Sequence, residues 1–462
     1  MMGEAVHSFP RAFKVTFSQV KRWDPNSFHG INWHWPSSLM SPIGSALKLR
    51  KDKVDRVANG FTDLMPVTIH FDGSIEPRKV DGDKEYTMQL FWARPGDIVV
   101  SKIDLKNGAV AIIPDNWDKV VVTNHFAVYE PNLKMLHPKY FHLLIQTKFF
   151  KDHLWRNKVG AEGRKEVKLD FFESLEIPLP PLPVQQKIVA HWEAAQSAIA
   201  IAKDRAAQIE KDIQARFLSD LGLPKPKRTN PPKCFTVDWG SFDRWSVSYN
   251  QSAISMIDVT LGKYLVVELG SIVELVQYGT SEKANTLEKG TPLLRMNNIK
   301  DGYLDYSNLK HVELPQKTTE SLLLVDGDVL FNRTNSKELV GKCAVFYGSD
   351  DYVFASYLIR VRPEATSAIS NFIAYCINSV IGRQQIDALS RQIIGQANIN
   401  SQELRSLRLP FPPIEVQREI MAHIEAGRSE IIKQFEIINR VQRQNQTEIE
   451  EMILGTKRVD VL

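Results

Sequence analysis

Residues 176–195 (EIPLPPLPVQQKIVAHWEAA) align without a gap on residues 408–427 (RLPFPPIEVQREIMAHIEAG), and ten of the twenty positions are identical. Unrelated segments of average composition match at about one position in twenty, so the two stretches descend from one ancestral unit. The identities include Pro178/Pro410, Pro180/Pro412, Pro181/Pro413, Gln185/Gln417, His191/His423 and Glu193/Glu425. The same offset pairs Gly163 with Gly395 and Ser174-Leu175 with Ser406-Leu407, while an offset one residue shorter pairs Gly96-Asp97 with Gly327-Asp328. Near the starts, FKVTFSQVKRW (13–23) and FTVDWGSFDRW (235–245) share Phe, Val, Arg and Trp at an offset of 222, so the second copy has gained roughly ten residues inside. One unit written twice implies two similar bodies, and every further reading has to respect that symmetry.

Each copy divides in the same way, into a globular part of roughly 170 residues, a proline-rich hinge and a long helix. The globular parts mix short β-branched runs (97–103, 108–113 and 126–130; 328–333, 340–347 and 357–362) with helical stretches around 137–155 and 366–390. That is an α+β (mixed) fold class. The expected boundaries are a first globular domain over 1–182, a helix over 183–220, a basic proline-rich linker over 221–234, a second globular domain over 235–413 and a second helix over 414–455.

Beyond the hinge, Ile188, Trp192, Ala195, Ile199, Ala202, Ala206, Ile209 and Ile213 recur with gaps alternating between four and three. Ile420, Ile424, Gly427, Ile431, Gln434, Ile438, Val441 and Asn445 keep the same alternation, continued by Ile449 and Met452. A heptad seam packs lengthwise on another helix, and two seams of similar length belong together. The intervening domain lets the chain return, which predicts an antiparallel coiled-coil pair. Gln434 and Asn445 are polar seam residues of the kind that cost stability and fix register. Helices of ~35–40 residues are rods ~52–60 Å long.

With 43% apolar and 24% charged residues, the 462-residue chain has the composition of a soluble globular protein, and its net charge of +4 permits nucleic acid without demanding it. The three cysteines, Cys234, Cys343 and Cys376, form neither a CxxC pair nor a disulfide framework, so a reducing cytosol is expected. No signal-peptide core and no run of ~20 apolar residues is present, so no membrane association is expected.

Candidate catalytic motifs fail one by one. Asn230-Pro231-Pro232-Lys233 has an adenine-methyltransferase-like NPP, but Lys233 offers no stacking face and no glycine-rich cofactor loop accompanies it; it reads as linker. Asp115 and Asp118 crowd into one PDNWDK turn rather than spreading over two strands as paired metal carboxylates do. Gly341-Lys342-Cys343 lacks the rest of a phosphate loop. His191 and His423 read as packing or hydrogen-bonding residues of a helix interface. The expectation is no catalytic residue, no metal and no cofactor.

A duplicated unit that ends in PLPPLPVQQKIV and PFPPIEVQREI before a long helix, with a GD-hydrophobic turn upstream (Pro95-Gly96-Asp97-Ile98; Asp326-Gly327-Asp328-Val329), resembles the DNA specificity subunit of type I restriction-modification systems. The usual hinge carries Glu before its Gln; here that position is Val184 or Val416. The resemblance implies two target-recognition domains joined by paired helices. It also implies a prokaryotic cytoplasmic complex in which two methyltransferase subunits and restriction (translocase-nuclease) subunits supply the chemistry. The partner would be double-stranded DNA with a bipartite target, its gap set by the helices.

Base reading needs Arg or Lys for guanine and Asn or Gln for adenine, with further basic residues on phosphates. Loop-like clusters of this kind are Lys102, Lys106 and Asn107, then Arg156, Lys158, Arg164 and Lys165, in the first copy. In the second they are Arg295, Asn297 and Asn298, then Arg333, Asn335 and Lys337, then Arg391, Gln392, Gln396 and Asn398, with Tyr278 as a stacking candidate. The competing readings are a stand-alone DNA adenine methyltransferase, which would need a cofactor loop, and a coiled-coil scaffold without DNA, which would not need two elaborate domains.

Overall fold

A computed structural model describes residues 30–55, 64–78, 88–158, 166–225, 234–237, 245–247, 249–251, 256–393 and 396–459, the side chains of 391–393 and 396 excepted. Arg164, Lys165, Gly163, Gly395, the 230–233 motif and the 13–23 match lie outside the described residues. The chain divides into two compact units, Met1–Ala202 with Glu436–Leu462, and Lys203–Phe435.

In the first unit an antiparallel sheet runs in the order Leu47–Arg50, Phe126–Pro131, Ile98–Ser101, Val110–Ile112. Strand Ile98–Ser101 is buried throughout: Ile98 and Val100 pack with Tyr140, Phe141 and Phe150 of the helices Pro138–Gln146 and Lys148–Arg156, and Val99 packs with Val67 and Val120 of a second sheet. Cover on both faces explains a continuous apolar run where a one-sided strand would alternate. That second sheet is ordered Ile75–Pro77, Met65–Ile69, Val120–Thr123, Leu90–Ala93, and its central pair is parallel.

The second unit repeats this plan. Its antiparallel sheet is ordered Val273–Tyr278, Leu358–Pro363, Val329–Asn332, Cys343–Val345, and its second sheet pairs Thr291–Leu294 in parallel with Val353–Phe354. Val329 and Phe331 face Phe372, Ile373 and Cys376 of the helical layer, whereas Leu330 faces Leu293 and Phe354. Each predicted helical stretch is in fact two helices. Thr147 (ψ 144°) separates Pro138–Gln146 from Lys148–Arg156, and Ser379 (ψ 174°) separates Ser370–Asn378 from Val380–Leu389, its hydroxyl accepting from Ile381 N as an N-cap. At Ser379 a hydroxyl that satisfies a free amide of the new helix makes the break inexpensive, whereas the Thr147 hydroxyl donates back to Leu144 O (2.7 Å) and closes the helix it follows.

The long helices span Leu182–Asp220 and Ile414–Leu454. Pro183 sits in the first turn, where the missing N–H is no loss. At the far end of the first helix Gly222 adopts φ +72°, and Leu223 N donates to Leu218 O in a left-handed cap closed to other residues without strain.

A buried glutamine joins each hinge to its globular part. Gln185 accepts from His137 N (2.8 Å) and donates to Met135 O (2.8 Å) and Pro180 O (2.7 Å). Gln417 accepts from Ile369 N (2.9 Å) and donates to Ser367 O (3.0 Å) and Pro412 O (2.9 Å). Both side chains are 0% exposed.

Within each unit the helices run antiparallel. In the first, Ile188 and Trp192 pack with Ile449 and Met452, and Ile199 with Ile438 and Val441. In the second, Ile209 and Ile213 pack with Ile420, Ile424 and Ile431, and Gly427 lies so close to Ile213 that an added Cβ would fall 2.6 Å from its Cδ1. The twin histidines also make twin contacts. His191 Nε2 meets Glu448 at 2.7 Å, and His423 lies between Arg216 (3.0 Å) and Asp220 (3.8 Å). The polar seam residues Gln434 and Asn445 are buried.

Candidate nucleic-acid interface

The Gly-Asp turns aim the strands that follow them. Asp97 is buried, accepts from Arg94 N (2.8 Å) and pairs with Arg50 (3.1 Å); burial, partly opposed by these donors, pushes its carboxyl above the usual range. Asp328 is likewise buried, accepts from Val325 N (2.9 Å) and holds both Arg362 (2.8 Å) and Arg360 (3.5 Å). The countercharge comes from the edge strand in the first unit and from the central strand in the second, so the ion pair is kept while its donor has moved.

What leaves the ends of these strands is the candidate surface. In the first unit Lys102 Nζ donates to Asn124 O (2.7 Å), Lys106 Nζ caps Ile103 O, and Asn107 donates to Asp104 (3.0 Å). Asn107 also accepts from the indole N–H of Trp155 (3.2 Å), and the Lys158 ammonium lies 3.3 Å from that ring's centroid. Two clusters some fifty residues apart in sequence, around Asn107 and around Lys158, with Arg156 in the last turn of its helix, therefore share one site. Trp155, its hub, is the residue sequence reasoning passed over, because one aromatic on an amphipathic helix carries no pattern that separates an outward position from a core one.

In the second unit all three clusters converge. Thr334–Asn335, Arg391–Ile393 and Gln396–Asn398 form a three-stranded sheet, in which Thr334 Oγ1 donates to Asn398 Oδ1 (3.1 Å). Asn335 Nδ2 donates to Met296 Sδ (3.5 Å), which brings in the third cluster. There Asn297 is exposed, and the Asn298 amide is buried and engaged with Arg295 N, Asp305 O and Asn308 O, so it shapes the turn that presents its neighbours. The Arg333 guanidinium carbon lies 5.1 Å from the Tyr278 ring centroid, and Tyr278 Oη accepts from Ser401 N (2.8 Å). Arg333 Nε and Arg295 Nε are buried donors without a hydrogen-bond partner among the described residues. Lys337 is exposed on the same loop.

The two sites occupy corresponding positions in the fold: the loop leaving the strand after the Gly-Asp turn meets Trp155 in the last turn of the second short helix in the first unit, and Asn398 beyond that helix in the second. Among the described residues no group of three or more His, Cys, Asp or Glu side chains is placed to hold a metal ion, and no helix is long and apolar enough to cross a membrane. PDNWDK is a turn closed by Trp117 N donating to Pro114 O (3.1 Å).

The family model described as type I restriction modification DNA specificity domain matches residues 85–211 and 262–450, once for each copy. The chain belongs to that family. A putative type I restriction enzyme MjaX specificity subunit from Methanocaldococcus jannaschii is 27% identical over 181 residues, 38% of this chain and 43% of the relative. The type I restriction enzyme EcoKI specificity subunit of Escherichia coli is 24% identical over 284 residues, 60% of this chain and 56% of the relative. The chain thus spans about half the length of these curated relatives. This chain also shares its fold with a chain of a solved structure concerned with complex assembly and conformational transition of the type I R-M system, with a TM-score of 0.58 at 19% identity, covering 90% of this chain and 98% of that one.

Proposed function

We propose that this member of the type I DNA specificity family is the sequence-reading subunit of a restriction-modification complex and has no catalysis of its own. Its target is a bipartite double-stranded sequence, with one half-site read by each unit at the surface around Lys102, Asn107, Arg156 and Lys158 or around Arg295, Asn297, Arg333, Asn335, Lys337 and Asn398. The gap between half-sites is set by the helix pair, and methyltransferase and restriction subunits dock on the same chain to modify and cut. The observation that carries the reading is the duplication itself: two copies present amides and cations at corresponding positions in the fold, which suits two short words better than one long word. Helices of 39 and 41 residues are ~58–62 Å long, between one and two duplex turns of ~34 Å each.

Mapping methylated adenines in cells that express the chain with its cognate methyltransferase subunits tests this directly. The expected result is a split motif; a single uninterrupted motif contradicts it. Inserting one heptad in each long helix should widen the gap and leave both half-sites unchanged. Altered half-sites with an unaltered gap would remove the helices from the measuring role. Methyl transfer by the isolated chain would instead favour a free-standing enzyme.

A further inference from the structure

Each unit builds the same small device at its reading surface from unrelated parts. In the first, Trp155 ends a helix, is 46% exposed, has its ring plane fixed by the indole N–H bond to Asn107, and carries the Lys158 ammonium over its face. In the second, Tyr278 ends a strand, is 40% exposed, has its ring fixed by Ser401 N bonding to its hydroxyl, and carries the Arg333 guanidinium over its face. The two aromatics occupy different elements, yet each lies beside the loop that follows its Gly-Asp strand. Arrival at one arrangement by two routes marks a requirement of function rather than of packing.

An aromatic with a cation on one face cannot slide between two base pairs, because intercalation needs both faces. It still offers its remaining face and edge to an apolar group in the major groove, and the apolar group there is the thymine C5-methyl. The cation beside it reaches an adjacent guanine edge or phosphate. The geometry points to Trp155 and Tyr278 as specificity-determining contacts that read a thymine methyl, one in each half-site, held in place by Asn107 and by the Ser401 amide. The inference rests on the DNA-reading assignment above.

The test uses the full chain at low salt with a pool of randomised duplexes, followed by titration of the enriched sequences. Wild type should enrich two half-sites, each with at least one invariant thymine. Changing that thymine to uracil removes only the methyl and should weaken binding about 3- to 5-fold, the value of one buried methyl-sized group. Trp155→Ala should flatten the thymine position of one half-site and make it indifferent to uracil while the other half-site stays intact; Tyr278→Ala should do the converse. If wild type enriches no sequence, the DNA-reading assignment falls and this inference falls with it. If wild type enriches two half-sites that are indifferent to uracil, or if Trp155→Ala leaves both profiles unchanged, the methyl contact alone is overturned. The uracil arm needs no variant, so it decides the matter even where a substitution disturbs folding.

Discussion

Replacing Gln185 by Ala should loosen the first globular part selectively, and the size of the effect follows from three distances. The side chain is fully buried and makes hydrogen bonds of 2.7–2.8 Å to His137 N, Met135 O and Pro180 O, all backbone groups with no solvent to replace them. A hydrogen bond contributes about 1 kcal/mol net, and a buried group left unpaired costs about 1–3 kcal/mol. Three such groups, partly relaxed toward water entering the vacated space, give an expected loss of about 3–5 kcal/mol. A domain of ordinary stability has about 5–15 kcal/mol in total, so the hinge would open frequently without the unit unfolding outright. The assay is amide hydrogen exchange followed by peptide mass analysis. In Gln185→Ala, peptides covering His137 should exchange at least about 100-fold faster, while those covering Ile369 stay at the wild-type rate. Gln417→Ala, which breaks the matching set at Ile369, Ser367 and Pro412, should give the mirror result. Equal acceleration of both regions by either variant, or less than about 5-fold at the local site, would refute the view that these glutamines are independent clamps.

Asp328→Ala should cost about 3–5 kcal/mol in urea denaturation, because the buried Arg360 and the half-buried Arg362 lose their shared countercharge; Asp97→Ala should cost less, because Arg50 keeps Glu130 (3.3 Å) as a second partner. Gly427→Ala gains about 1 kcal/mol of helix propensity but meets Ile213, so it should destabilise alone; combined with Ile213→Ala it should cost less than the two single effects added, and strict additivity would refute the contact. Burial holds the imidazoles of His142 and His137 below their ordinary pKa, so the folded first unit keeps them neutral while the unfolded chain takes up protons below about pH 6.5. Its stability should therefore fall as pH drops from about 6.5, by up to about 1.4 kcal/mol per pH unit for each histidine, and His142→Asn should flatten the urea midpoint's pH profile.

Much of the architecture is written in the sequence because it repeats. Pro181, Gln185 and the Ile188-type seam recur in both copies, and recurrence at one offset separates signal from composition. The strands that were legible, such as Ile98–Ser101 and Val329–Asn332, are those buried on two faces and therefore continuously apolar. The second sheets were not singled out, since a strand such as Met65–Ile69 is short and only partly buried, leaving neither an apolar run nor a clean alternation. The breaks at Thr147 and Ser379 were hidden for a different reason: the apolar faces on either side keep helical spacing, and a hydroxyl residue inside a helical pattern is common. At the candidate surface, residue types were readable but their meeting was not. Thr334 and Asn398 touch across sixty-four positions, and Asn107 meets Trp155 across forty-eight, distances that no local periodicity spans.

The division of the chain has a consequence for synthesis. The second unit is one continuous stretch, Lys203–Phe435, whereas the first is built from two stretches that flank it, Met1–Ala202 and Glu436–Leu462. On the ribosome the earlier stretch must wait, with the apolar flank of Ile188 and Ile199 uncovered, until Ile438, Ile449 and Met452 emerge after the whole of the second unit. A nascent chain released after Phe435 would hold one finished unit and one with its inner surface bare, the kind of product that chaperones retain and proteases remove.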